Sequence, residues 1–424
     1  MTATLSKTPR QLGPYVVGAK IAGGGMATVF VGRAHQPDGS EKVVALKVIK
    51  DELLQKDTFV HMFLDEAKIL SQLSHPNVID TIECGIEGEH RYIAMELLLG
   101  RSVADAWDAV TATGSRFEPK LAAWICARIA DGLHYAHELK DPSGNPLHVI
   151  HRDVNPTNIF LTYDGRVKLI DFGLAKAVGR RSKSAQGIVK GKIPYLAPEM
   201  IGEAEIDRRA DIYTLGITLW EITTGERLFK RKTDIDTLQA IQKAQVPDPT
   251  EKIAGYPEEL ASIVKRALEP DRNKRWSTAA QIAAALDAFI GDVGDDEMRS
   301  QLETFLERTF PGERDKQDAW LEEAMHGERA GLNTTVRPPA PVPTRAKGEE
   351  SSARHSSPPH SSPPPTPPIL MPAPVILPPP AATPRKSKPP KGKKKRHSGR
   401  PGELKTEPPK SGLSKEKDAK EKER

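Results

Sequence analysis

Cysteine is nearly missing from this chain. Cys84 and Cys126 are the two among 424 residues, too few for a disulfide framework and without metal-ligand spacing. Both are read as buried thiols in a reducing compartment. Long apolar runs are missing too: the stretch PILMPAPVIL at 368–377 is short and broken by prolines, so it cannot span a bilayer. The opening MTATLSKTPRQLGPY has no apolar run of the kind a signal peptide needs. Together these absences point to a cytoplasmic protein with no membrane span.

Aromatic residues stop at Trp320, whereas 22 of the 37 prolines lie between Pro338 and Pro409. A segment so composed cannot bury enough apolar surface to offset its chain entropy. Residues 331–424 are therefore expected to form a disordered tail, proline-rich and then lysine-rich. Of the overall net charge of +5, the stretch Arg385–Arg424 accounts for +10, which leaves −5 for the residues before it. Such a basic stretch can contact polyanions or act only as a solubilising tether.

What is present is organised in two parts. From Tyr15 to about Ile49, short β-rich runs flank Gly23-Gly24-Gly25 and Pro37-Asp38-Gly39. Phe59, Phe63, Ala67 and Leu70 follow at helical spacing, and NVIDTIECG and HRYIAME read as two more strands. Beyond Gly100, long helical patterns dominate, such as 120–139 and 209–223, with others near 262–267 and 278–289. Residues 295–325 read as one or two amphipathic helices interrupted at Pro311. A strand-rich part followed by a helix-rich part predicts an α+β protein of two lobes.

Several short motifs occur in one order. AGGGMATV spans 22–29, VALK 44–47, FLDEAKIL 63–70, HRDVNPTN 151–158, KLIDFG 168–173 and APE 197–199. In that order and spacing, residues 15–290 resemble the eukaryotic-like (Hanks-type) serine/threonine protein kinase family. The wording HRDVNPTN with GKIPYLAPE resembles kinases of developmentally complex bacteria such as myxobacteria. The resemblance implies a bilobal fold, with a five-stranded N-lobe carrying one helix and a mainly helical C-lobe. A helical extension over 291–330 would follow, then the tail.

Phosphoryl transfer asks the protein to hold phosphates, hold metal against them and orient the attacking hydroxyl. The resemblance implies that Ala22, Gly23, Gly24 and Gly25 cover the triphosphate of ATP. Ile21, Val29 and Ala45 would enclose adenine, with Met95 as gatekeeper and the backbone of Glu96 and Leu98 meeting the adenine edge. Lys47 would hold the α- and β-phosphates with Glu66 as its partner. Asp153 would orient the hydroxyl of a protein substrate, and Asn158 and Asp171 would bind Mg²⁺. Glu199 would pair with Arg275, and Asp211 would brace the catalytic-loop backbone. Leu70, His151 and Phe172 would stack in a hydrophobic column.

Four positions depart from the family pattern. Ala22 and Ala27 replace glycines, and Asn155 stands where a lysine normally meets the transferring phosphate. The threonine of the usual G-T-P-x-Y stretch is Lys192, in GKIPY. This exchange suggests that the cation has changed its attachment point, with Asn155 holding Lys192 or Asp153. Pro156 follows the serine/threonine-type pattern. Arg152 suggests control by phosphorylation of Ser182 or Ser184. A pseudokinase platform and a small-molecule kinase of the aminoglycoside or choline type are the alternatives. The second lacks the APE segment and the aspartate brace.

Overall fold

The structure is a computed structural model that describes residues 10–54, 57–172, 193–201 and 205–326. The expectations for Ser182, Ser184, Lys192 and the basic tail lie outside the described residues.

β-Branched and aromatic residues alternate with polar ones through the first part, and they form an antiparallel sheet. Its strands are β1 (Gln11–Leu12), β2 (Tyr15–Gly23), β3 (Ala27–His35), β4 (Glu41–Ile49), β5 (Thr81–Glu87) and β6 (His90–Glu96). Their order is β1-β2-β3-β4-β6-β5. Five strands were expected, and β1 is the sixth. It is too short for an alternating pattern, yet Leu12 is fully buried with Tyr15, Phe30 and Tyr92. At Gly13 (φ +54°) a Cβ would lie 2.1 Å from the Tyr92 hydroxyl oxygen, so the turn after β1 requires glycine.

The expected single helix is two pieces, α1 (Asp51–Leu54) and α2 (Asp57–Leu70). On α2, Phe63, Ala67 and Leu70 are buried, as their spacing demands. Cys126 is buried as expected, but Cys84 is exposed. It sits on β5, the last strand in the sheet order, with its Sγ 3.6 Å from the Ala67 carbonyl oxygen of α2.

A small second sheet, β7 (Gly100–Ser102), β8 (Ile159–Thr162) and β9 (Val167–Leu169), floors the cleft between the lobes. Around it stand α3 (Val103–Ala112), α4 (Pro119–His137), α5 (Arg209–Thr224), α6 (Asp234–Lys243), α7 (Pro249–Lys252), α8 (Glu258–Ala267) and α9 (Ala279–Ile290). Helix α3 begins with a capping box in which Ser102 and Asp105 each bond the other's backbone N–H. Helices α4 and α5 are buried along most of their length, which is why their sequences are apolar almost all round.

The interruption at Pro311 separates α10 (Asp295–Thr309) from α11 (Glu313–His326). Met298, Leu302, Phe305 and Leu306 of α10 join the core of the helical lobe, with the Phe305 ring 4.8 Å from that of Phe117. At roughly 1.5–3 kcal/mol for each buried side chain, that contact makes α10 part of the lobe rather than a loose appendage. Among the described residues no helix is long and apolar enough to cross a membrane.

Glu199 and Arg275 meet in this core as a two-pronged ion pair, at 2.6 and 2.9 Å. The Arg275 side chain is 0% exposed. Its guanidinium also donates to the carbonyls of Glu269, Pro270 and Arg209 and lies over the Tyr213 ring. Removing one member of a buried pair strands the other charge, at roughly 3–5 kcal/mol. Arg275→Ala should therefore lower the free energy of unfolding by about 3–5 kcal/mol in urea titration. A loss below about 1 kcal/mol, the range of an exposed pair, would contradict that account.

Candidate active site

The HRDVNPTN loop, the candidate catalytic loop, runs between α4 and β8, and its backbone is held by one carboxylate. Asp211, fully buried on α5, accepts from the His151 N–H at 2.8 Å and the Arg152 N–H at 2.7 Å. Its third contact is His137 Nε2 at the end of α4, also at 2.8 Å. Burial alone would push the Asp211 carboxyl up; the His137 hydrogen bond and charge, His151 and the Arg152 amide outweigh it and hold the group below its ordinary value. The grip has a conformational purpose. Arg152 sits at φ +63°, a left-handed conformation that costs a non-glycine residue of order 1–3 kcal/mol and persists only when its surroundings enforce it.

Asp153, 8% exposed, is held by two side-chain amides. Asn155 Nδ2 donates to its carbonyl at 2.7 Å and to Oδ1 at 3.1 Å. Asn158 Nδ2 donates to the same carbonyl at 2.8 Å and to Oδ2 at 3.0 Å. Asn155 can do this because it caps the short 3₁₀ turn Pro156–Asn158, where its Oδ1 accepts from the Thr157 N–H. Of the two partners expected for Asn155, Asp153 is the one it meets among the described residues.

The Ile170 N–H donates to the Asn158 carbonyl at 2.9 Å, which ties the catalytic loop to the end of β9. Asp171 follows in a left-handed conformation, φ +56°, and its Oδ1 lies 2.9 Å from Lys47 Nζ on β4. A chain of contacts thus links Lys47, Asp171, Asn158 and Asp153 across the cleft. Glu66 lies on α2, and its side chain is outside the described ones. Leu70 and Phe172 share the main core cluster, and the Phe172 ring is 4.5 Å from His151. Of the expected column, the His151–Phe172 contact is made.

Above the cleft, β2 and β3 meet at a tight turn in which the Gly24 N–H donates to the Ala27 carbonyl at 2.9 Å. Ala22 pairs with Val29 and Gly23 with Thr28. Ala22, Gly23, Gly24 and Gly25 are exposed, while Ala27 is buried. The alanine at 27 thus fills space under the strand and does not narrow the open side of the turn. Ala45, Ile79 and Met95 form an apolar cluster, with Ile21, Val29, Leu97, Leu98 and Ile170 packed against it. Every apolar residue expected around adenine is in this one group, and Ile79, Leu97 and Ile170 are additions.

Sequence reasoning also missed Lys168 and His137. Lys168, 2% exposed, reaches the hinge carboxylate of Glu96 at 2.5 Å and donates to the Val78 carbonyl. Arg166 joins the same carboxylate at 3.2 Å. The only sequence signal for Lys168 is a charged residue inside an apolar strand, which demands a partner wherever it is buried.

The oxygens of Asn158 and Asp171 are the hard donors that Mg²⁺ prefers, and two protein ligands suffice for an ion that keeps water and phosphate oxygens. These residues fit the metal. The family described as protein kinase domain matches residues 15–286. Among curated relatives, the tyrosine-protein kinase MasK of Myxococcus xanthus is 37% identical over 71% of this chain and 47% of its own length. A probable serine/threonine-protein kinase of Clostridium perfringens, CPE1738, is 31% identical over 63% of this chain and 37% of its own. Serine/threonine-protein kinase PknL of Mycobacterium tuberculosis is 29% identical, over 67% of this chain and 68% of its own. The chain thus spans less than half the length of the first two. A crystal structure of the Mycobacterium tuberculosis PknI kinase domain shares the fold at TM-score 0.50 and 25% identity, over 68% of this chain and 98% of that one. With the motifs in place on the matching fold, the chain belongs to the protein kinase family.

Proposed function

We propose that this chain transfers the terminal phosphoryl group of ATP to serine or threonine hydroxyls of proteins, itself included. The observation that carries this reading is the linked set Lys47, Asp171, Asn158 and Asp153, one residue type for each task phosphoryl transfer sets. The apolar cluster around Ala45 and Met95 takes the purine, and the Leu98 backbone, which has no hydrogen bond to the described residues, offers its N–H and carbonyl at the edge. Lys47 supplies a cation to the phosphates. Asp153, aimed by two amides, draws the substrate hydroxyl into line and takes its proton. Asn158 and Asp171 would hold Mg²⁺, which when bound neutralises charge on the phosphate oxygens. A cytoplasmic location fits the two unpaired thiols.

A pseudokinase would dispense with one of these groups, and none is missing here. Serine/threonine specificity rests on Pro156 and on the names of most relatives; the name of MasK favours tyrosine as the second reading. The test is incubation with labelled ATP and Mg²⁺, followed by acid hydrolysis and separation of the phosphoamino acids. Label in phosphoserine or phosphothreonine is expected. Label in phosphotyrosine would move the substrate class, and ATP binding without transfer to any acceptor would return the pseudokinase.

A further inference from the structure

The hinge between the lobes is held from a direction the candidate active site does not use. Gly100 lies two residues beyond Leu98 and opens β7. A Cβ there would lie 2.0 Å from the Leu161 carbonyl oxygen on β8, so the strand is packed too closely on that side for any side chain. Its N–H and carbonyl point the other way, and both are taken by a single residue of α11. The Gly100 N–H donates to Gln317 Oε1 at 2.9 Å, and Gln317 Nε2 donates to the Gly100 carbonyl at 3.2 Å. The side-chain amide occupies the edge of β7 as a neighbouring strand would.

Three further contacts make this a built attachment. Arg101 pairs with Glu313 of α11, their side chains 11% and 14% exposed. The Arg101 guanidinium also lies over the Phe310 ring, and Phe310 belongs to the main core. On the same helix Trp320 is buried, and α11 lies against β2, the strand that leads into the glycine-rich turn. One helix therefore touches the backbone just past the hinge and the upper lobe above the nucleotide cleft. Glu96, before Leu98, is anchored by Lys168 and Arg166, so the hinge segment is fixed at both ends.

We propose that α11 is part of the support of the nucleotide site, with Gln317 as a positioning residue that sets the hinge backbone for the purine. The proposal rests on the kinase reading of that site. Gln317 touches no substrate; it acts by restricting Gly100, and through it Leu98, to the conformation that binds. Losing both hydrogen bonds lets the segment sample others, and nucleotide must then bind the competent fraction only.

The test uses the full chain with Gln317→Met, which keeps the length of the side chain and removes its hydrogen bonds. Calorimetric titration with ADP should show affinity about three- to ten-fold weaker than wild type, the range of one lost hydrogen-bond contribution. KM for ATP should rise by the same factor, while kcat at saturating ATP and KM for the protein acceptor stay within about two-fold, since the lost energy is uniform binding. Glu313→Gln loosens the same attachment from a second residue and should shift ADP affinity in the same direction. Exposed Asp318 on the same helix serves as control, and Asp318→Asn should change nothing. Wild-type ADP affinity in both Gln317→Met and Glu313→Gln overturns the proposal, as does a fall in kcat with KM unchanged. ADP binding is read without turnover, so a chain that binds nucleotide and never transfers phosphate would sink the kinase reading and leave this one standing.

Discussion

Asp153→Asn should reduce phosphoryl transfer by roughly 10² to 10⁴, the contribution of a positioned general base, while ATP still binds. On the proposed reading the carboxylate does two things, and the substitution removes the first and half of the second. It would offer a charged acceptor to the substrate hydroxyl, and it accepts from Asn155 at Oδ1 and from Asn158 at Oδ2. An asparagine at 153 has one oxygen, so its amide nitrogen must face the nitrogen of one of those two neighbours. Two donors cannot satisfy each other, and the loop loses part of its aim along with its base. Nucleotide affinity depends on the apolar cluster, Lys47 and the hinge, none of which touches the Asp153 carboxylate. The measurement is kcat with labelled ATP beside an ADP titration of the same preparation. Turnover above about a tenth of wild type would remove Asp153 from the base role, because catalysis of this kind contributes far more than ten-fold.

Lys192→Thr should lose roughly 10² to 10³ in turnover, and adding Asn155→Lys should recover much of it. A charge-assisted contact to developing phosphate charge contributes on the order of 2 to 4 kcal/mol, which sets that range. The proposal is that the cation of the usual catalytic loop has moved to position 192. Asn155, which stands in the lysine's place, is 1% exposed and spends its amide on Asp153 and its oxygen on the Thr157 N–H. It orients the base and brings no charge. The family pattern places a second cation besides Lys47 at the triphosphate, and the exchange of residue types at 155 and 192 offers a candidate for it. Recovery in the double variant should be incomplete, since a lysine at 155 gives up the amide contacts that aim Asp153. Full turnover by Lys192→Thr at saturating ATP would show that no cation is needed from that position.

Most of the chemistry was legible in the chain itself. The HRD, N and DFG spacing, the lysine of VALK and the glutamate of APE are local strings, and two of the supporting contacts expected from them are present. Glu199 meets Arg275 and Asp211 meets the His151 and Arg152 amides. Helices were legible for the same reason. Apolar spacing at Phe63, Ala67 and Leu70 reports on one face of one helix, and the run 209–223 on a helix buried all round; both are properties of neighbouring residues. The break at Pro311 came from the missing N–H of proline.

What the sequence by itself determined, then, was the family, the two lobes and the type of residue available for each step of phosphoryl transfer. What only the tertiary structure decided were meetings between residues far apart in the chain. Nothing near Leu12 shows that two residues can complete a sheet, and β1 exists because Tyr92 and Phe30 leave a site for that side chain. Cys84 is exposed on β5, and which elements lie over that strand is not written in its neighbouring residues. Lys168 looks misplaced in its strand until Glu96 is found beside it. Gln317 is an ordinary polar residue on an amphipathic helix, 217 positions from the glycine it grips. Periodicity and spacing carry information over a turn or two of chain, whereas such contacts depend on the path the backbone takes between them. The support of the hinge was invisible in the sequence for that reason, and the chemistry it supports was not.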